Sequence, residues 1–381
     1  MLLYVGDVPV ESTYHGSALL HRLLEGYPTG RLTILETGAP SQPNRRLTNA
    51  KYEACRLDYS RWLKTRFHPF AMAWFSHLAP RALAALTGVE FDSVLTVAHG
   101  FGWLAAARLA EERNTPLHLM IHDDWPRVAN VPVGFRAWLD RKFAAVYRQA
   151  KTRMCVSPSM QRDYEKRYGE TADVLYPSRA LGLPQFTAPP KRLATSDHQF
   201  TIAFAGTINS PGYTQTLIAL HDALAAVNGR LLLFGPLTPE QARQTGLDLP
   251  NITICGLLSW PELMTRLRDD ADALFVPMSF DQADRSNMEM AFPSKLADGT
   301  AVGLPLLIYG PAYCSAVRWA KENPGVAEVV EAREQLGKVV QRLAGDPSQR
   351  QALGKRALEV GQEYFAHEKV QAVFNRALKS V

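Results

Sequence analysis

The chain has 381 residues, 46% hydrophobic and 21% charged, with 25 Gly and 25 Pro. These fractions exclude a disordered, collagenous or disulfide-dense protein, and the length suggests two domains with separate cores. Net charge is +5, and it is unevenly placed: residues 1–182 carry 23 Lys/Arg against 17 Asp/Glu, whereas residues 183–381 carry 19 against 20. A surplus of that size lacks the dense basic stripe of a nucleic-acid binder, so no nucleic-acid partner is expected. It suits an anionic surface or a phosphate-bearing acceptor.

Short apolar runs alternate with helical stretches from the start of the chain. Leu2–Val5 ends at Gly6, and Gly16 to Leu24 reads as a helix. Arg31–Leu35, Asp92–Val97 and Pro116–Ile121 follow as strands, with a helix over 102–113 between the last two. Thr152–Val156 leads into Ser157-Pro158-Ser159, whose hydroxyls can cap a helix over 160–168. Such an alternation predicts a parallel sheet covered on both faces.

Between Tyr176 and Phe200 the composition changes to Pro177, Pro184, Pro189 and Pro190 among polar residues, which reads as an interdomain linker. The alternation then restarts. Phe200–Ala205 ends at Gly206, Arg230–Phe234 at Gly235-Pro236, Ile252–Cys255 at Gly256 and Ala273–Val276 at Pro277, with Leu304–Ile308 as a further strand. Chain turns of this kind fall at the carboxyl ends of the strands, the edge where open α/β sheets bind ligands. Residues 347–381 read as terminal helices. The expected division is residues 1–182, with helix 366–381, and residues 183–365.

Four cysteines (Cys55, Cys155, Cys255 and Cys314) stand far apart and suggest reduced thiols in a cytoplasmic protein, without a zinc site. No run of 18 apolar residues and no charged leader is present, so neither a spanning helix nor a signal peptide is expected. The GxGxxG and GxxxxGK[ST] patterns are absent, which counts against dinucleotide and P-loop chemistry.

The most informative segment is Pro293-Ser294-Lys295-Leu296-Ala297-Asp298 followed by Gly303-Leu304-Pro305. Ser294 at a helix start, Lys295 in the first turn and Asp298 one turn on can offer amides and an ammonium to a phosphate and a carboxylate to a ribose diol. The same spacing also fits a capped helix with a surface Lys–Asp pair. His122 directly follows a strand and should project from the sheet edge; His99 is similarly placed. His122-Asp123-Asp124 does not make a convincing metal site, and no metal is expected. The stretch Arg45–Phe75 carries Arg45, Arg46, Lys51, Arg56, Arg61, Lys64 and Arg66, with Phe67, Phe70, Trp74 and Phe75 close behind. It reads either as a solvated helical face followed by a core helix or as a segment lying on an anionic membrane.

Taken together, Phe292–Pro305, Gly206, Gly235-Pro236, Gly256–Ser259 and Ala271–Pro277 resemble the nucleotide-binding half of GT-B glycosyltransferases, most like family four and its relatives. In the first half the resemblance covers His15-Gly16-Ser17, His122-Asp123-Asp124, Val156–Met160 and Tyr168-Gly169. It implies two doubly wound Rossmann-like α/β domains and a retaining, metal-independent transfer of a sugar from a nucleotide-sugar to a glycan or lipid-linked acceptor, as in bacterial surface polysaccharide synthesis. The nucleotide-sugar is a co-substrate, and no cofactor is implied. Carried over residue by residue, His122, Lys295 and Asp298 would be catalytic. Gly16, Ser17, Gly206, Thr207, Asn209, Gly235, Leu258, Arg285, Pro293 and Ser294 would join Lys295 and Asp298 around the donor, with His99 and Asp123 on the acceptor side. The resemblance also implies that the last helix crosses back to the first domain. Two departures stand out. The family's paired glutamates fall on Met290 and Asp298, and the cations it places after the first glycine are missing from Gly206–Gly212. A catalytically silent relative or an epimerase of the same fold are the alternatives. A cytoplasmic protein, or one held peripherally at the inner face of the plasma membrane, is the expected setting.

Overall fold

A computed structural model describes all residues except 13, 14, 56–66, 68, 69, 72, 75, 76, 78, 79, 81, 82, 84–87, 89, 130, 183, 209, 380 and 381. The chain divides into two units, Met1–Ser178 with Glu368–Val381, and Arg179–His367. Each is built around one parallel sheet with helices between the strands, so the chain is an α/β protein of two Rossmann-like units.

In the first unit the strands are β1 (Leu2–Gly6), β2 (Leu32–Glu36), β3 (Lys51–Ala54), β4 (Ser93–Val97), β5 (Leu117–Ile121), β6 (Thr152–Cys155) and β7 (Asp173–Val174). They lie in the order β3-β2-β1-β4-β5-β6-β7. Central β1 and β5 are buried along their whole length because helices cover both faces, which is why they read as unbroken apolar runs. Val370, Phe374 and Ala377 of the terminal helix His367–Lys379 join Leu2, Tyr4, Leu20 and Leu23 in this unit's core. Gln371 adds a bond to the Leu23 carbonyl at 3.1 Å.

Strand β3 corrects the sequence reading of Arg45–Phe75. Lys51–Ala54 is an exposed edge strand rather than part of a helical face, pairing parallel with Thr33–Glu36. Short, charged strands suit such an edge, because they discourage pairing with another chain. Within that stretch Lys51 pairs with Glu53 at 2.8 Å and Arg46 with buried Glu36 at 3.2 Å. Phe67, Phe70 and Trp74 are 48%, 56% and 63% exposed, so these three do not belong to a core helix. Arg56, Arg61, Lys64, Arg66 and Phe75 lie outside the described residues.

The second unit contains β8 (Thr201–Ala205), β9 (Arg230–Phe234), β10 (Ile252–Gly256), β11 (Ala273–Pro277), β12 (Leu306–Tyr309) and β13 (Ala327–Val330), ordered β10-β9-β8-β11-β12-β13. Its winding repeats that of the first unit: the order reverses between β8 and β11 as it does between β1 and β4. The core is Ile202, Phe204, Leu231, Leu233 and Phe275 of the strands against Leu217, Leu220, Val340 and Leu343 of the helices.

Candidate functional site

At the carboxyl edge of the second sheet three strands end in glycine, and the glycines are stepped onto one another. Gly206 N–H donates to Phe234 O at 2.8 Å, and Gly235 N–H donates to Gly256 O at 2.9 Å. Gly206 and Gly235 hold φ of +149° and +153°, where side chains are disfavoured. A Cβ on Gly235 would strike the Gly206 carbonyl, and one on Gly206 would strike the Lys295 side chain. The backbone there is bare so that Lys295, from the helix Lys295–Val302, can lie across the end of β8.

Lys295 Nζ sits 5.3 Å from the Phe204 ring centroid and 5.7 Å from that of Tyr213. Burial pushes its ammonium down to about 8, while the nearby Asp298 carboxylate acts in the opposite direction. The structure therefore brings together Gly206, Gly235, Lys295 and Asp298. Thr207 continues from Gly206 into a cleft of about 650 Å³ walled by Thr207, Ile208, Pro211, Pro236, Leu237 and Gln241.

Other expected donor residues are placed differently. Ser294 is exposed and stands at the helix start without capping it: its own backbone is already helical (φ −57°, ψ −23°), and its hydroxyl makes no cap bond. The chain turns instead through Leu296 N–H to Pro293 O at 3.0 Å and Ala297 N–H to Ser294 O at 3.0 Å. Arg285 is stacked on the Tyr313 ring at 4.6 Å and is not brought to Lys295 by any contact among the described residues. Leu258 is half-buried on the loop after β10. Asn209 lies outside the described residues. Met290, at the family's first-glutamate position, is buried, and the Glu289 carbonyl beside it accepts a bond from Arg318 at 2.6 Å.

In the first unit, Gly16 and Ser17 open the helix His15–Leu24, and His122 follows β5. These meet: a Cβ on Gly16 would lie 2.8 Å from His122 Nδ1. Burial, helped by the neighbouring His99, lowers His122 to about 4, so its imidazole is neutral at physiological pH. Its Nε2 is buried with no hydrogen-bond partner among the described residues. His99 is exposed and packs on Trp125, ring centroids 4.5 Å apart. Asp123 is half-buried, and its carbonyl accepts from Trp125 N–H at 2.7 Å. Asp124 is turned inward to Tyr164 (2.9 Å), Arg167 (3.1 Å) and Arg127 (3.2 Å), a structural anchor for the loop rather than half of a metal pair.

One residue was missed. Asp7, just after β1, accepts from the N–H groups of Phe101 (2.6 Å) and Gly102 (3.0 Å) and from Thr37 Oγ1 (2.5 Å). It closes the amino end of the helix Gly102–Glu112 from ninety-odd residues away, so only the position of an acid after a strand-end glycine could have signalled it.

Residues 31–178 match the family described as Glycosyltransferase Family 4. The match falls on the first unit, whereas the motifs richest in chemistry lie in the second. No curated protein matches the chain. Among solved structures, the chain is similar to Anabaena HepE in complex with UDP and glucose, with a TM-score of 0.71, 14% identity, and 100% of this chain and 99% of that one covered. A glycosyltransferase from Rickettsia africae gives a TM-score of 0.65 at 14% identity, covering 100% of this chain and 99% of that one. WaaG, a glycosyltransferase involved in lipopolysaccharide biosynthesis, gives 0.64 at 15%, covering 98% and 99%. With two parallel Rossmann-like sheets, and solved glycosyltransferases alike over nearly its whole length, the chain has the GT-B fold, and its residues 31–178 are similar to Glycosyltransferase Family 4.

Proposed function

We propose that the protein transfers a hexose from a nucleoside-diphosphate sugar to an acceptor hydroxyl, with retention of anomeric configuration and without a metal. The observation that carries this reading is Lys295: a cation drawn out of water, laid over the bare backbone of Gly206 beside Asp298. An ammonium held at a cost in solvation is repaid by an anion, and a diphosphate supplies one. Anabaena HepE has been seen with UDP and glucose on the same fold, which supports a donor of this class. In the reaction the bond from the sugar C1 to the diphosphate oxygen breaks, and its electron pair leaves with the phosphate. Lys295 stabilises that charge. His122, neutral, holds a sugar hydroxyl and orients the ring, while Asp298 takes the ribose diol. The acceptor oxygen bonds to C1 on the face the phosphate leaves, and its proton passes to the departing phosphate.

The test is calorimetric titration with UDP, GDP and ADP and their hexose conjugates, followed by a transfer assay with and without EDTA. Binding of one diphosphate and EDTA-insensitive transfer are expected. Failure of every diphosphate to bind overturns the reading.

For the acceptor, the basic balance of residues 1–182 and exposed Phe67, Phe70 and Trp74 favour an anionic, lipid-linked glycan reached at a membrane surface, the setting of surface polysaccharide synthesis. Among the described residues no helix is long and apolar enough to cross a membrane, so contact would be peripheral. The protein should sediment with anionic liposomes at low salt and release as salt rises, and Phe70→Ser with Trp74→Ser should weaken it. Indifference of the wild type to anionic liposomes would make a soluble acceptor the better reading.

A further inference from the structure

Three rings converge at the edge of the first sheet. His122 ends β5, Trp125 begins the short helix Trp125–Val128, and His99 follows β4. His99 packs on the Trp125 ring at 4.5 Å and is close enough to His122 to disfavour its protonation. Two ring nitrogens in this cluster, His122 Nε2 and Trp125 Nε1, are buried with no hydrogen-bond partner among the described residues. Buried polar atoms are nearly always paired, and an indole nitrogen can only donate. Two such atoms three residues apart, on a loop anchored by Asp124, mark a place where a ligand completes the bonding.

We propose that Trp125 is a sugar-binding residue: its indole N–H donates to one hydroxyl of the transferring sugar while His122 engages another, and His99 holds the indole plane in place. The proposal rests on the reading that His122 meets that sugar. It adds a specificity determinant to it, because a hydroxyl of the wrong configuration would leave the indole N–H unpaired. Discrimination of this kind is stronger than that of an apolar wall.

Trp125→Phe tests it, since phenylalanine keeps the ring against His99 and removes only the donor. The indole N–H resonance of Trp125, one of seven, is identified by its loss in that variant. It should move when the nucleotide-sugar that binds is added and stay in place with the matching nucleoside diphosphate. In the variant, affinity for that nucleotide-sugar should fall about three- to tenfold, the loss of one neutral hydrogen bond, with diphosphate affinity and melting temperature unchanged. A bound nucleotide-sugar that leaves the resonance in place, or an unaltered affinity in the variant, overturns the proposal and leaves the function standing. Diphosphate binding without binding of any nucleotide-sugar overturns both.

Discussion

The two sheets wind in the same order, yet their switch points carry opposite charge. In the first unit the residue after β1 is Asp7, whose carboxylate reaches the amino end of the helix after β4 and accepts two of its N–H groups. In the second unit the roles run the other way: the residue after β8 is the bare Gly206, and a cation, Lys295, comes to it from a helix after β11. A helix start that already holds a carboxylate has no use for a phosphate. On the function proposed above, an ammonium over bare glycine does. The same topology therefore gives one edge closed by a carboxylate and one that presents a cation, and the difference lies in a few side chains rather than in the fold.

The largest effects should separate the two edges. His122→Ala should lower turnover about a hundredfold while diphosphate affinity holds, if the histidine orients the sugar and does not meet phosphate, as proposed. Lys295→Ala should lower turnover too, and unlike His122→Ala it should cost about 1.5–3 kcal/mol of diphosphate binding by calorimetry. A loss of diphosphate affinity in His122→Ala, or none in Lys295→Ala, would mean that the two residues do not divide the work this way. Asp7→Ala should cost about 2–3 kcal/mol of stability in urea unfolding, because two helix N–H groups and Thr37 lose a charged acceptor. Diphosphate affinity should be unaffected.

A pH titration sharpens the contrast. Burial holds Lys295 at about 8, below its ordinary 10.5, so the free protein sheds this proton as pH passes 8. A bound diphosphate favours the charged form, so binding above that pH takes up a proton. Affinity should be flat below pH 8 and then fall by up to about tenfold per unit. Lys295→Arg keeps its charge and should flatten the curve. The unliganded protein should gain stability between pH 8 and 10.5, where the unfolded chain still binds the proton that the folded one has lost. His122 gives the same sign in a lower window: with its value at about 4, stability is lost as pH falls from 6.5 towards 4.

Legibility in the sequence followed the range of each interaction. β1 and β5 were visible because burial on both faces makes an apolar run of Leu2–Val5 and Leu117–Ile121. Gly206 and Gly235 were visible because strand-end turns favour glycine. That Lys295 lies over Gly206 joins residues 89 apart and could be expected only from family resemblance. Asp7 left only the trace of an acid after a strand-end glycine, since nothing near it in the chain shows which helix it serves. Lys51–Ala54 was misread because an edge strand in a basic stretch carries too few apolar residues to show a period of two.

The smallest expected effect concerns two serines that look alike in sequence. Both precede a helix, and each has the residue type that most often caps one. Ser157 holds extended backbone (φ −147°, ψ 153°), which lets its hydroxyl swing back to accept from Met160 N–H at 3.0 Å. Ser294 is already helical, its hydroxyl makes no bond to the turn that it would have to cap, and it is exposed. Ser157→Ala should therefore cost about 1 kcal/mol in urea unfolding, the usual loss of a cap. Ser294→Ala should stay within about 0.5 kcal/mol of the wild type, like other surface changes. If Ser294→Ala instead weakens diphosphate binding at unchanged stability, the hydroxyl meets the donor and not the helix. That result would add it to Lys295 on the anion-accepting edge. A loss of stability as large as that of Ser157→Ala would show that the helix after β11 is capped, and that its amino end is as closed as the one Asp7 fills.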